Sequence, residues 1–91
     1  MLNLVWRASA LDDLDHIISY IAEHDLAAAE RLLDAIEAAA DRLAEHPFMY
    51  RSGRVPGTRE AVVHPNYILI YHVTADAVEI ISLVHARQEY P

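Results

Sequence analysis

The hydrophobic pattern of this chain changes at Pro47 from helical spacing to strand alternation. Before the proline, apolar side chains recur every three or four residues, which is typical of helices that bury one face. After it, short apolar runs are separated by turn-forming residues, which is typical of strands joined by tight turns. A chain with this order is expected to pack a helical layer against a sheet, because each layer needs the other to bury its apolar face.

A first amphipathic helix is predicted over about residues 10 to 23. Ser9 and Asp12 have the spacing of a capping box, so we expect Ser9 to begin the helix. The apolar stripe at helical spacing consists of Leu11, Leu14, Ile17, Ile18 and Ile21. The opposite, solvent-facing side is predicted to carry Asp12, Asp13, Asp15 and Glu23.

A second helix is predicted to follow at once, with Asp25 as its N-cap and Pro47 at its end. The stretch between them is rich in alanine and other strong helix formers. Its apolar stripe consists of Leu32, Leu33, Ile36, Ala40 and Leu43. The break between the helices is so short that we expect an antiparallel hairpin.

The remaining segments read as strands. Residues 2–6 alternate apolar and other side chains, and residues 59–64, 67–73 and 78–87 form apolar runs separated by turns. In the turn-rich segment just before residue 59, Gly57 follows Pro56 at the position of a type II turn that requires a positive φ. We therefore predict an α+β fold in one domain over residues 1–91, a small sandwich with an N-terminal strand, a helical hairpin and a C-terminal antiparallel meander of three or four strands.

The composition and the N-terminal sequence exclude several classes of protein. The chain has no cysteine, so disulfides and thiolate metal sites are excluded, which agrees with a reducing compartment. Arg7 and an early acidic pair interrupt the N-terminus where a signal peptide needs an apolar stretch, and no run approaches membrane-spanning length. We expect a cytoplasmic protein with no membrane contact.

The formal net charge of -7 is unevenly distributed. Residues 1–45 contain three arginines and ten carboxylates, whereas residues 46–91 contain four of each. This balance argues against a simple nucleic-acid binder, which depends on clustered cations. Any surface that faces an anion is expected in the second half, which also holds four of the six histidines.

The last residues combine an imidazole, a guanidinium and a phenol, in His85, Arg87 and Tyr90. If the final strand keeps a two-residue period, His85 and Arg87 point to the same face. Two interpretations stay open: a site or recognition surface, or a solvated end in which Arg87 pairs with Glu89 or Glu60 and Tyr90 packs against the helices.

Taken in series, the segments GTRE, HPNY and HARQ, with the strand ending in Trp6 and the two helices, resemble the RelE/ParE superfamily of bacterial toxins over essentially the whole chain. The resemblance implies a growth-inhibiting toxin of a type II toxin-antitoxin system that is kept silent by a cognate antitoxin. It also implies one of two activities. RelE-like members cut messenger RNA on the ribosome, and ParE-like members bind and poison DNA gyrase.

RNA cleavage requires a proton acceptor and cations that stabilise the phosphorane. By the resemblance, Arg87 falls where RelE-like toxins keep an arginine, whereas Ile68 and Ala61 stand where they carry an arginine and a lysine. Each missing charge-assisted contact is worth about 1.5 to 3 kcal/mol. We therefore predict a ParE-like inhibitor of DNA gyrase. Its target-binding residues are predicted to be Arg54, Arg59, His64, Arg87 and Tyr90.

Two alternatives remain. In a ribosome-dependent mRNA endoribonuclease, His85, Arg87 and Tyr90 would be catalytic and the ribosome and mRNA would be the partners. A degenerate module would keep only the antitoxin interface. A zinc site at His64, His72 and His85 is not favoured, because they include no close-spaced pair and no added carboxylate. We predict neither a metal nor a cofactor.

Overall fold

The computed structural model describes residues 2–88, which form five strands and two helices. In chain order these are β1 (Asn3–Trp6), α1 (Ala8–Ala22), α2 (Leu26–Glu45), β2 (Arg51–Ser52), β3 (Arg59–His64), β4 (Tyr67–Val73) and β5 (Ala77–His85). The helices lie against one face of the sheet, so the predicted α+β fold is confirmed.

The five strands form a single sheet in the order β1-β5-β4-β3-β2. Strands β2 to β5 are antiparallel neighbours and form the predicted meander. The N-terminal strand β1 pairs in parallel with β5, from Asn3 opposite Ala77 to Trp6 opposite Ile80. This pairing joins the two ends of the chain and makes the sheet mixed.

Helix α1 begins two residues earlier than the sequence indicates. Arg7 occupies the N-cap position and donates its backbone N–H to the Ile80 carbonyl at 3.0 Å, so the chain passes directly from β1 into the helix. Ser9 therefore lies within the first turn, and its hydroxyl donates to the Ile81 carbonyl at 2.7 Å. The prediction that Ser9 caps α1 is wrong, because the sheet edge holds that hydroxyl.

Asp13 was predicted on the solvent side of α1, and this is also wrong. Its carboxylate accepts the backbone N–H of Leu83 at 3.0 Å. Strand β1 pairs with β5 only up to Ile80, so the N–H of Leu83 lies on a part of the β5 edge that no strand covers within residues 2–88. The start of α1 therefore continues the hydrogen bonding of the edge where β1 ends.

Helix α2 follows the prediction closely. Asp25 is its N-cap and accepts the backbone N–H of Ala28 at 3.0 Å, and the helix ends at Glu45, two residues before Pro47. Most of the predicted stripe is buried, with Leu33 half-buried toward α1. Buried side chains of α2 that face the sheet are Leu32, Ile36, Ala40 and Leu43.

The core lies between the helices and the sheet. Tyr71 on β4 is fully buried there, and its hydroxyl donates to the Pro47 carbonyl at 2.7 Å. Burial raises the pKa of the Tyr71 phenol to about 12, because the charged phenolate is poorly solvated there. Further fully buried side chains in this core are Ile36, Leu43, Leu69, Val78 and Ile80.

The opposite face of the sheet also contains buried apolar side chains. Ile68 and Ile70 on β4 and Val84 on β5 are 4%, 4% and 6% exposed, and Ala86 packs against them. Strand β4 is thus apolar on both faces. Within residues 2–88, no helix is long and apolar enough to cross a membrane.

Candidate functional surfaces

Three aromatic rings form a row across β3, β4 and β5 at one end of the sheet. Tyr67 pairs with His64 on one side and His85 on the other. The ring centroids of His64 and Tyr67 are 5.7 Å apart, and those of Tyr67 and His85 are 5.4 Å apart with an edge-to-face geometry. Two predicted site residues, His64 and His85, are therefore arranged around a common tyrosine.

Both histidines accept backbone hydrogen bonds at Nδ1. Asn66 donates its N–H to His64 at 3.0 Å, and Arg87 donates its N–H to His85 at 3.1 Å. An accepting Nδ1 carries no proton, so the neutral rings bear their proton on Nε2. The arrangement fixes the orientation of each ring and assigns its tautomer.

The end of β5 departs from the expected period. The strand ends at His85, and Ala86 and Arg87 form a turn closed by the bond from the Gln88 N–H to the His85 carbonyl at 2.9 Å. The two-residue alternation that would place His85 and Arg87 on one face therefore stops at His85. Arg87 is exposed, while Glu89 and Tyr90 lie outside the described residues.

Arg59 holds the segment that follows α2. Its guanidinium donates to the Tyr50 carbonyl at 2.7 Å and to the Phe48 carbonyl at 3.5 Å, and it lies over the Phe48 ring at 5.1 Å from the centroid. Both hydrogen bonds come from Nη1 of this predicted target-binding residue. They tie β3 to the segment between α2 and β2.

A second cluster surrounds Glu60, which is only 4% exposed. Arg51 forms an ion pair with Glu60 at 3.0 Å, and Arg54 donates its backbone N–H to the other carboxylate oxygen at 3.3 Å. The Arg54 guanidinium donates to the Gln88 carbonyl at 3.5 Å. Glu60 is thus bonded to Arg51, so the suggested pairing of Glu60 with Arg87 is wrong.

The two positions where cations are missing lie on opposite faces of the sheet. Ala61 is fully buried opposite Leu69, under the helices. Ile68 is buried on the other face, opposite Val62 and Val84. Both sites are apolar surroundings in which a phosphate would lose its hydration without gaining a charged partner.

At the far end of that outer face, Arg7, His72 and Glu79 form a polar cluster. The Glu79 carboxylate lies 3.0 Å from His72 Nε2 and 3.4 Å from the Arg7 guanidinium. The hydrogen bond to His72, with a smaller contribution from Arg7, lowers the pKa of Glu79 from its ordinary value. This cluster was not predicted from the sequence, although His72 and Glu79 lie symmetrically about the turn between β4 and β5.

The helical hairpin has a shallow apolar groove of about 220 Å³ on its surface. Leu11 at the groove is 50% exposed, and Leu14, Ile18 and Leu33 are half-buried. Asp15 borders the groove and belongs to the acidic first half of the chain. Within residues 2–88, no group of three histidines and carboxylates is placed to hold a metal ion.

Comparison with known proteins identifies the family. The model of the family described as the ParE toxin of the type II toxin-antitoxin system, parDE, matches residues 4–90. This chain belongs to the ParE toxin family. Y4kP of Sinorhizobium fredii, which is named as a toxin, is 42% identical over 87 residues that cover 94% of this chain and 90% of that protein. Toxin RelE2 of Caulobacter vibrioides is 39% identical over 97% of this chain and 99% of its own.

Solved structures of toxin-antitoxin systems share the fold of this ParE family member. The chromosomal ParDE system of P. aeruginosa contains a chain that superposes with a TM-score of 0.82 at 19% identity, covering 93% of this chain and 96% of that one. The YoeB/ParE toxin of Agrobacterium tumefaciens gives 0.68 at 18% identity, covering 98% and 100%. The predicted membership of the RelE/ParE superfamily is confirmed.

Proposed function

We propose that this ParE family member inhibits growth by binding DNA gyrase and that a cognate antitoxin neutralises it. The supporting observation is that three arginines at the sheet already have hydrogen-bond or ion-pair partners. Arg7, Arg51 and Arg59 are bonded to Glu79, to Glu60 and to backbone carbonyls. A guanidinium with such partners has fewer donors left for a reacting phosphate, which favours binding to a protein over RNA chemistry.

The apolar surroundings of Ile68 and Ala61 support the same proposal. A ribonuclease must stabilise negative charge that develops on the phosphorane, and preorganised donors are usually its largest contribution. Buried aliphatic side chains contribute no donors. The overall charge of -7 also lacks the attraction that steers a protein to the polyanionic ribosome.

A supercoiling assay with purified gyrase tests this proposal. The protein is expected to inhibit supercoiling by gyrase and to trap cleaved DNA, and an equimolar amount of the antitoxin encoded beside it is expected to restore activity. In parallel, translating ribosomes are supplied with mRNA and the cleavage products are mapped. Messages cut in the ribosomal A site, with no effect on gyrase, would contradict the proposal.

Ribosome-dependent mRNA cleavage is the second candidate, and the row of His64, Tyr67 and His85 favours it. With Nδ1 occupied by a backbone N–H, each neutral imidazole presents an Nε2–H that can donate to a phosphate oxygen when a 2'-hydroxyl attacks the phosphate. In this reading His85 and Arg87, with Tyr90 beyond the described residues, are catalytic. Cleavage that disappears in Arg87→Ala and His85→Ala, while both variants still bind the antitoxin, would establish it.

The groove on the helical hairpin is the surface that we propose for the antitoxin. An amphipathic segment would cover Leu11, Leu14, Ile18 and Leu33, and basic residues at its edges would face Asp15 and the other carboxylates of α1 and α2. Leu11→Asp is expected to weaken capture of the antitoxin at least about tenfold. Val62→Asp, at a similarly exposed residue on the sheet, serves as the matched control.

A further inference from the structure

The turn that follows α2 exposes two consecutive large apolar side chains. Phe48 is 66% exposed and Met49 is 59% exposed. Aromatic residues and methionine are enriched at the centres of protein interfaces. Two such side chains that stay in water do not gain the free energy of burial. Single exposed apolar residues are normal on a protein surface. The inference therefore depends on the contacts that hold this turn in place.

Arg59 fixes the turn from the side of the sheet. It donates to the carbonyls of Phe48 and Tyr50 and stacks on the Phe48 ring. The Tyr50 ring in turn meets the buried Tyr71 ring edge to face, with centroids 6.3 Å apart. These contacts hold the Phe48 side chain in one place while leaving most of it in water.

The helical side fixes the turn as well. The Tyr71 hydroxyl donates to the Pro47 carbonyl at 2.7 Å, and the Met49 N–H donates to the His46 carbonyl at 3.2 Å. A backbone that is held in its bound arrangement loses little entropy on association, so a preorganised turn gains affinity. The turn has the properties of an interaction hot spot.

A cavity of about 390 Å³ lies beside Phe48. Its lining includes Gly53, Thr58, Arg59 and Val73. In the wall, the Gly53 N–H donates to the Thr58 carbonyl at 2.8 Å, and a Cβ on Gly53 would collide with the Thr58 hydroxyl. The exposed Phe48 side chain therefore lies next to a cavity whose lining includes Arg59.

The charge of this edge is opposite to that of the helical hairpin. Three of the seven arginines, Arg51, Arg54 and Arg59, fall within nine residues, and the carboxylate among residues 46–60 is the buried Glu60. The acidic groove at Leu33 is separated from the end of α2 at Glu45 by roughly 18 Å along the helix axis, at 1.5 Å per residue. The molecule thus presents two surfaces of different charge.

We propose that Phe48, Met49 and the adjoining cavity, together called the anchor surface, contact the protein target whose binding inhibits growth. The target is expected to offer an apolar pocket bordered by carboxylates, which complements Phe48, Met49 and the three arginines. The antitoxin groove is a separate surface. This inference rests on the proposed function in requiring a protein target, but it does not depend on that target being gyrase.

The decisive variant is Phe48→Ala with Met49→Ala in the full-length protein. Its matched control is Tyr20→Ala with Leu26→Ala, which removes two side chains that are 67% and 63% exposed on the helices. Growth inhibition is measured without antitoxin, and antitoxin binding and the thermal midpoint are measured on purified protein. The anchor variant is expected to need roughly 30-fold more protein for the same inhibition, with antitoxin binding unchanged.

A charge variant tests the second part of the inference. Arg54→Glu is expected to weaken inhibition at least about tenfold, whereas Arg31→Glu on the exposed face of α2 is expected to have little effect. Equal effects of the two reversals would contradict a carboxylate-bordered target.

The outcomes separate this inference from the proposed function. An anchor variant that inhibits growth as well as the wild type would overturn the inference, even if gyrase is the target. Equal loss of antitoxin binding would overturn it too, because the surface would then not be specific to the target. If the anchor variant loses growth inhibition and its control does not, the anchor surface is supported. If the wild-type protein also has no effect on gyrase, the gyrase proposal is contradicted. A wild type without growth inhibition would contradict both.

Discussion

Tyr71 connects the core to the segment that carries the anchor surface. Its ring is fully buried between α2 and the sheet, and its hydroxyl reaches the Pro47 carbonyl just after the helix. A buried phenol that lacked this acceptor would cost free energy, so the core and the turn depend on each other.

Tyr71→Phe removes this hydrogen bond and keeps the ring. The free energy of unfolding is expected to fall by about 0.5 to 1.5 kcal/mol, because the Pro47 carbonyl loses its donor. Urea denaturation followed by circular dichroism measures the change. Tyr20→Phe, at an exposed residue of α1, is the control and is expected to change stability little.

The same phenol predicts a loss of stability in alkaline solution. The pKa of Tyr71 is raised from 10.0 to about 12 by burial, so the folded state keeps its proton at pH values where the unfolded state has lost it. This contribution is fully present below pH 10 and is lost as the pH rises through about 12. Denaturation midpoints measured across this window are expected to fall less steeply in Tyr71→Phe than in the wild type.

Glu79 gives a prediction at acidic pH. The hydrogen bond from His72 lowers the pKa of the Glu79 carboxyl from 4.5, so its contribution to stability is present above that value and is lost as the pH falls through the folded pKa. Carbon-13 NMR titration of His72→Phe is expected to place the Glu79 pKa closer to 4.5 than in the wild type. An unchanged Glu79 pKa in this variant would contradict the assignment, and His16→Phe on α1 is the control.

At the scale of elements, the first turns of α1 complete the edge of β5. Strand β1 is only four residues long and leaves part of that edge open. Ser9 and Asp13 supply a donor and an acceptor to the backbone of β5 there. The helix thereby serves both as a packing layer and as a partner of the edge.

Asp13→Ala tests this role. The Leu83 N–H would lose its acceptor in a part-buried position, so the free energy of unfolding is expected to fall by about 1 to 3 kcal/mol. Asp12→Ala, at the exposed neighbouring residue, is expected to stay within about 0.5 kcal/mol of the wild type. Equal effects in the two variants would show that general helix charge matters instead. Hydrogen exchange at Leu83 provides a local measurement, and we expect its amide to exchange faster only in Asp13→Ala.

At the scale of the molecule, charge divides the surface in two. Ten of the fourteen acidic residues lie in residues 1–45, which include both helices, while the arginines of residues 51–59 lie at the edge formed by β2 and β3. This division is consistent with two partners of different charge, one at the helical groove and one at the anchor surface.

The division predicts how salt affects the antitoxin complex. If basic residues of the antitoxin face the acidic hairpin, raising sodium chloride from about 50 mM to about 500 mM is expected to weaken the complex roughly tenfold, since the shorter Debye length screens these charges more strongly. Calorimetry at several salt concentrations measures this. An affinity independent of salt would indicate that the groove is filled by apolar contacts alone.

The sequence predicted much of the local structure for identifiable reasons. The N-cap of α2 at Asp25 was recognised because a cap acts on residues three positions away. Gly57 was placed correctly in its turn: its φ is 86°, and the Thr58 N–H donates to the Val55 carbonyl at 3.1 Å, since a type II turn needs a positive φ at one defined position. Ser9 satisfied the same local rule for a cap, yet its hydroxyl donates to the Ile81 carbonyl on the distant strand β5.

The structure brings some of the predicted site residues close together. His64 and His85 are brought together around Tyr67, which the strand boundaries alone do not predict because the cross-strand register decides it. Arg59 lies at the anchor surface as a positioning residue for Phe48 and also lines its cavity. Whether Arg54, Arg87 and Tyr90 contact the target stays a prediction.

The order of helices and strands and the apolar stripes follow from the sequence, because periodicity and capping act within a few residues. The tertiary structure alone decided that β1 lies beside β5, that Asp13 reaches Leu83, and that Arg7 reaches Glu79. These partners are about 70 residues apart in the chain. Contacts over such distances depend on the order and register of the whole sheet, which no local pattern encodes.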